Sequence, residues 1–279
     1  MKQFAAPDGT AIAYEDVGEG RPLVLLHGLM AHSGFFARQR ELSDSFRLIS
    51  IDLRGHGRSQ TGGRSPTVAD LAGDVAALAD GLDLEGVIGV GWSLGASVLW
   101  KVLTGPAAAR FAGAVVVDMT PRVLNDGDWT LGLTPEACEI RTQAIREDFA
   151  NFARNAGHAI FSQPVAPQFR DLADWAGAEF ARNDPEAIGA MWASLVGEDY
   201  RASLGGIRQP TLVIHGAQSQ LYGPGTADHL VRALPDARAV RFERSGHAPH
   251  MEEPEHFNRL IRDFAASLPR VRERQHTAS

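Results

Sequence analysis

Three short stretches of the sequence hold groups that together could open an acyl bond. The first is Gly91-Trp92-Ser93-Leu94-Gly95, a G-x-S-x-G that follows an apolar run and begins a helical pattern. A serine on so sharp a turn has its hydroxyl raised above the strand end, and glycine two residues before and after lets neighbouring chain approach without a clash. The amide of Leu94, at the start of the helix, points where an oxyanion would form. The second stretch is His27-Gly28-Leu29-Met30, after the run Pro22-Leu23-Val24-Leu25-Leu26. Gly28 lets the chain turn away, so that the Leu29 amide faces the same point and two amides make an oxyanion hole. His27 reads as a buried imidazole bonded to nearby backbone. The third stretch is Ser245-Gly246-His247, which follows the last strand pattern. A general base must come from a loop at the serine's edge of the sheet, and this loop is one. His56, His215 and His250 stand in or beside comparable loops, so position alone leaves the base open.

These groups need a frame, and the pattern of the chain supplies one. Short β-rich runs alternate with longer helical patterns, the signature of a mostly parallel sheet with helices on both faces. Phe4 and Ala11 to Val17, separated by Pro7-Asp8-Gly9-Thr10, read as an antiparallel edge hairpin. Near-continuous apolar runs follow at Pro22–His27, Arg47–Asp52, Val87–Val90, Ala112–Asp118 and Thr211–His215, as strands buried on both faces require, with a last candidate at Ala237–Phe242. Helical patterns cover Ser65–Leu82, Ser93–Leu103, Thr226–Leu234 and Glu252–Leu268. Residues 119–205 break the alternation with amphipathic pieces at Glu136–Ala156, Phe169–Arg182 and Pro185–Leu195 and no strand pattern. Lying between two strands, they read as a helical insertion into one domain. The core is then 1–118 with 206–268, and the polar tail 269–279 is expected to be disordered.

Composition closes several other readings. With 279 residues and 44% hydrophobic composition the chain can bury a large core. A net charge of -7 and no long basic run argue against a nucleic-acid or membrane-surface partner. No stretch approaches the roughly 18 apolar residues of a spanning helix. One cysteine, Cys138, forms no intramolecular disulfide, and the N-terminus lacks the apolar core of a signal peptide, so the cytoplasm is the expected compartment.

From about residue 8 to 268 the sequence resembles the α/β-hydrolase superfamily. The resemblance rests on His27-Gly28-Leu29-Met30, Asp52-Leu53-Arg54-Gly55-His56-Gly57-Arg58-Ser59, the Gly91–Gly95 elbow, and Ser245-Gly246-His247 followed by Glu253-Pro254-Glu255 and Phe257-Asn258. It implies an α/β-hydrolase fold: a mostly parallel eight-stranded sheet with a helical cap inserted after the sixth strand. It assigns Ser93 as nucleophile and His247 as base, and makes the Asp52–Ser59 loop architectural.

At one place the chain departs from that family. An aspartate usually follows the glycine ending the seventh strand by about three residues, and here Ser219 stands there, with no carboxylate nearby until Asp228. Asp118, closing the run Val115-Val116-Val117, offers a replacement. A carboxylate on an apolar strand is costly to desolvate without a partner, and some members of the superfamily draw their acid from this strand end. The competing reading is that Asp118 caps the turn into the insertion.

In the family the cap covers the serine. Trp129, Phe149, Phe152, Phe161, Trp175 and Trp192 could line an acyl pocket, though aromatics at helical spacing more often form the core of a small cap. Trp92, Leu94, Leu29 and Met30, beside the nucleophile, point more directly to an apolar acyl site, with Trp192 the contribution expected from the cap. Arg141, Arg146 and Arg154 could form a patch for a phosphopantetheine-carrying protein, but neighbouring Glu136, Glu139, Glu147 and Asp148 favour a solvated helix face. The expected activity is therefore a serine carboxylesterase with Ser93, His247 and Asp118 as catalytic residues, no metal and no cofactor. Its partner is a small, largely apolar ester or other acyl compound, with acyl carrier protein a weaker possibility. A serine in the elbow argues against a dehalogenase or epoxide hydrolase, both of which need a carboxylate there. Lactonase, thioesterase, carbon–carbon hydrolase and cofactor-free perhydrolase share the mechanism, and a receptor that has lost turnover is the reading from another class.

Overall fold

The computed structural model describes residues 1–223 and 225–269. Its frame is one eight-stranded sheet: β1 (Lys2–Ala5), β2 (Ala11–Val17), β3 (Arg21–Leu26), β4 (Phe46–Ile51), β5 (Val87–Trp92), β6 (Phe111–Val117), β7 (Thr211–Gly216) and β8 (Ala237–Phe242). In space the order is β1-β2-β4-β3-β5-β6-β7-β8. β2 runs antiparallel to β1 and β4, and every other pairing is parallel. The β5 and β6 strands are central, and their residues are buried on both faces except Ala112, which is why they read as unbroken apolar runs. β8 is one edge, and it carries Arg238 and Arg241 among apolar residues, as an edge strand permits.

Helix α1 (Val68–Gly81) starts at Thr67, whose hydroxyl accepts the Asp70 amide while the Asp70 carboxylate accepts the Thr67 amide, a complete capping box. It packs on α2 (Leu94–Leu103), which runs back along β5. Four helices fall between β6 and β7: α3 (Pro135–Glu147), α4 (Phe149–Ala159), α5 (Arg170–Phe180) and α6 (Pro185–Gly197). The chain closes with α7 (Gly225–Ala233), the single turn α8 (Pro249–Glu252) and α9 (Pro254–Ser267).

The sequence pattern and the structure differ in three elements. The stretch expected as one helix from Glu136 to Ala156 is two, because Asp148 leaves helical geometry (φ -147°, ψ 62°) and its carboxylate accepts the Asn151 amide to begin α4. The helix expected from Glu252 breaks at Glu253, ahead of Pro254, as the proline ring demands of the residue before it. A 3₁₀ stretch at Ser33–Asp44, kinked at Phe36, had no periodic signal. The tail expected to be disordered lies, beyond Pro269, outside the described residues.

Candidate active site

The ends of β3 and β5 and the loop after β8 converge on one cavity of about 260 Å³, with the end of β6 bonded behind that loop. Three of the four non-glycine residues with left-handed backbone among those described lie here: Met30 (φ 66°), Ser93 (φ 53°) and Asp118 (φ 44°). Each such residue costs on the order of 1–3 kcal/mol, and concentrated strain marks a place where side-chain position matters more than local stability. Around Ser93 the glycines are compulsory. A Cβ on Gly95 would lie 2.1 Å from the Leu26 carbonyl oxygen, and one on Gly91 would lie 2.4 Å from the Gly95 carbonyl oxygen. The turn that lifts Ser93 is thus wedged between β3 and the first turn of α2.

Ser93 and His247 both line the cavity, with Gly28, Leu29 and Met30 on the same wall. The Leu94 amide opens α2 and has no carbonyl within its own helix to bond. Among the described residues neither it nor the Leu29 amide donates to a backbone carbonyl. The Leu29 turn is held from behind. His27 Nδ1 donates to the Gly28 carbonyl (2.8 Å), and its Nε2 accepts the Leu53 amide (2.9 Å). Complete burial keeps that ring neutral, with its pKa well below the ordinary value.

Asp118 lies at the end of β6, 3% exposed. Its Oδ2 accepts His247 Nδ1 at 2.6 Å and the Ser219 hydroxyl at 2.7 Å. The Gly216 amide approaches Oδ1 at 3.4 Å. With Nδ1 donating to the carboxylate, the neutral ring carries its free lone pair on Nε2. The other histidines left open by sequence are placed differently. His250 is buried among Phe36, Trp92 and Phe257 with neither ring nitrogen bonded, and burial together with neighbouring His247 lowers its pKa to about 3. His56 donates Nδ1 to the Arg54 carbonyl, is held down at about 4 by burial, and borders a separate polar cavity. His215 borders a small cleft behind Asp118 and has no bonded nitrogen.

The His247 loop is braced from two sides. Trp92, 1% exposed, donates its indole N–H to the His247 carbonyl at 2.8 Å, so this residue does more than border the cavity. Glu252 accepts the Gly246 amide (2.7 Å) and the Ser162 amide (2.8 Å), and the Ala248 amide donates to the Ile160 carbonyl (3.0 Å). Burial raises the Glu252 pKa against the pull of those amides. The 160–162 segment, between β6 and β7 in the chain, is thereby tied to the histidine loop.

The opposite wall comes from that same part of the chain. Phe152, Ile160, Phe180, Trp192 and Leu195 line it, joined by Leu221 and Tyr222 from the loop after β7. Of the aromatics weighed from sequence, Phe152 and Trp192 reach the cavity. Trp129 packs on His229 and Arg201, Trp175 on Phe35 and His32, and Phe149 and Phe161 are core. Of the cavity residues that the sequence did not place there, Tyr222 and Arg141 stand beside two that it did, His247 and Trp192. Tyr222 stands edge-on to the His247 ring, with centroids 6.3 Å apart, and no motif announces it. Arg141, expected on a solvated helix face, turns into the cavity. Arg146 pairs with Glu147 at 2.8 Å on the surface, and Arg154 is exposed.

A serine on a strained turn, an imidazole backed by a buried carboxylate and two amides without backbone partners form a set of groups competent for acyl transfer. Among the described residues no group of His, Cys, Asp and Glu is arranged to hold a metal ion, and no helix is long and apolar enough to cross a membrane.

Residues 23–260 match the model of the alpha/beta hydrolase family. The chain is 33% identical over 252 residues to a pimeloyl-(acyl-carrier protein) methyl ester esterase of Nitrosomonas europaea, covering 88% of this chain and 96% of that protein. An esterase from Exiguobacterium antarcticum superposes with a TM-score of 0.89 at 25% identity, covering 95% of this chain and 99% of the other. A bromoperoxidase from Bacillus anthracis reaches the same TM-score at 20% identity, over 95% of this chain and 100% of the other, a likeness of fold alone.

Proposed function

We propose that the chain, which belongs to the alpha/beta hydrolase family, is a serine carboxylesterase acting on a small, largely apolar substrate. The observation that carries this reading is the placement of Ser93 and His247 on one cavity with Asp118 bonded behind the ring. Relatives named as esterases support ester hydrolysis within this fold.

In this reading His247 Nε2 takes the Ser93 proton as Oγ attacks the ester carbonyl. The Leu29 and Leu94 amides receive the developing oxyanion. The protonated ring, stabilised by Asp118, gives its proton to the departing alcohol and leaves an acyl-serine. Water, deprotonated by the same nitrogen, releases the acid and restores Ser93. Residues 119–205 act as the cap that shapes the acyl pocket over the 1–118 and 206–268 core. Lactones and thioesters pass through the same steps, and a carrier-protein substrate is the extension suggested by the name of the Nitrosomonas relative.

A panel of p-nitrophenyl esters from acetate to decanoate, run beside acyl-homoserine lactones and acyl-thioesters, tests the reading. We expect the highest kcat/KM on short-chain esters. Turnover confined to thioesters or lactones would replace the carboxylesterase assignment, and no turnover of any would favour a binding protein on this fold.

A further inference from the structure

Arg141 is out of keeping with its surroundings. It lies on α3 and is half-buried in a mostly apolar cavity, where the other polar side chains are Asn155, Tyr222, Ser93 and His247 and none carries a negative charge. Among the described residues its guanidinium makes no ion pair and no hydrogen bond. It lies over the face of Trp192, 5.8 Å from the ring centroid. That indole is itself fixed, because its Nε1–H donates to the Thr142 hydroxyl at 3.1 Å. Most arginines on this surface have carboxylates beside them, as Arg122, Arg201 and Arg262 do. Withdrawing an arginine from water without an anion costs hydration that a cation–π contact recovers only in part. A guanidinium held on a fixed ring, with its donors unspent, is instead arranged to receive anionic oxygens.

We propose that Arg141 is a specificity-determining residue, and that the acyl group admitted to this cavity ends in an anion, a carboxylate at the end away from the scissile carbonyl. The inference rests on the esterase reading above and narrows its substrate class to hemiesters of short dicarboxylic acids. Volume and charge agree with it. A cavity of about 260 Å³ lies at the small end of ligand sites, which keeps the acyl chain short. The chain carries a net charge of -7, which repels an anionic substrate at long range, so a local cation is needed to admit one.

The test compares monomethyl glutarate with its neutral isostere methyl glutaramate, following methanol release by the full-length chain and by Arg141→Gln and Arg141→Lys. The expected wild-type preference for the hemiester is at least tenfold in kcat/KM. It falls to near unity in Arg141→Gln, chiefly through KM, and is partly kept in Arg141→Lys. A second readout needs no catalysis: calorimetric binding of glutarate to Ser93→Ala, weakened at least tenfold by adding Arg141→Gln. Because a phosphate presents similar oxygens, S-glutaramyl-phosphopantetheine is compared with S-glutaramyl-pantetheine. An Arg141-dependent preference confined to that pair overturns the carboxylate-ended acyl group and places the anion that Arg141 meets, a phosphate, on the leaving group. Cleavage of the esters with no charge preference in any pair, and no Arg141-dependent glutarate binding, overturns the inference while leaving the esterase reading intact. Arg141-dependent glutarate binding with no ester turned over keeps the inference and overturns the esterase reading.

Discussion

The ends of β6 and β7 are neighbours in the sheet and carry different chemistry. At the end of β6, Asp118 is forced into left-handed backbone and buried, with its amide bonded to the Ile214 carbonyl of β7 at 2.8 Å. Beyond the end of β7, the position where the resemblance anticipates an aspartate holds Ser219, in an ordinary turn and partly exposed. Both side chains converge on a single point, since Asp118 Oδ2 receives the His247 ring and the Ser219 hydroxyl together. In the proposed mechanism a carboxylate and a hydroxyl divide the work. One carries the charge that faces the imidazole, and the other holds that charge in place. On the proposed mechanism, what matters to the ring is the location of the anionic oxygen, and the convergence of the two side chains makes the second strand end a place from which to supply it.

Breaking the charged side of this pair should have the largest effect. Asp118→Asn keeps the shape but removes the charge and favours the wrong ring tautomer, and kcat should fall by about 10⁴-fold with KM little changed. Steady-state kinetics on a variant shown by circular dichroism to be folded checks it. Moving the carboxylate across the gap is the next step. Asp118→Asn with Ser219→Asp should recover roughly 10- to 100-fold of that loss, a non-additive result of the kind expected for side chains in contact. Kinetics of the double variant beside each single one measures the coupling. Removing only the supporting hydroxyl should have the smallest effect on rate. Ser219→Ala should lower kcat by less than about tenfold, while denaturant unfolding reports a stability loss of about 1–3 kcal/mol for a hydrogen bond to a charged group. If Ser219→Ala instead fell as far as Asp118→Asn, the hydroxyl and not the carboxylate would be the group supporting the histidine.

The sequence made the sheet and the candidate site's edge legible because their signals are local. β5 announces itself by unbroken burial, and the elbow by two glycines that steric contact makes compulsory. Asp118 was readable as an anomaly, a lone carboxylate closing a valine run, but its bond to Ser219 joins residues 101 apart in the chain and has no sequence signal. The helices between β6 and β7 were legible as helices and not as a surface. Nothing in the spacing of α3 distinguishes Arg141, which faces the cavity, from Arg146, which faces Glu147. That choice is made by the break at Asp148 and by the packing of α3 on α6. Tyr222 escaped for a similar reason, since a loop residue acquires its neighbours only when β7 and β8 are paired.

The central claim is that Ser93 is an activated nucleophile, and covalent capture tests it most directly. The purified chain would be treated with a fluorophosphonate and the adduct located by peptide mass spectrometry. The expected result is a single stoichiometric adduct on Ser93, formed far more slowly in His247→Ala and Asp118→Asn. No adduct under conditions that label a control serine hydrolase, or an adduct on another residue, would contradict the account.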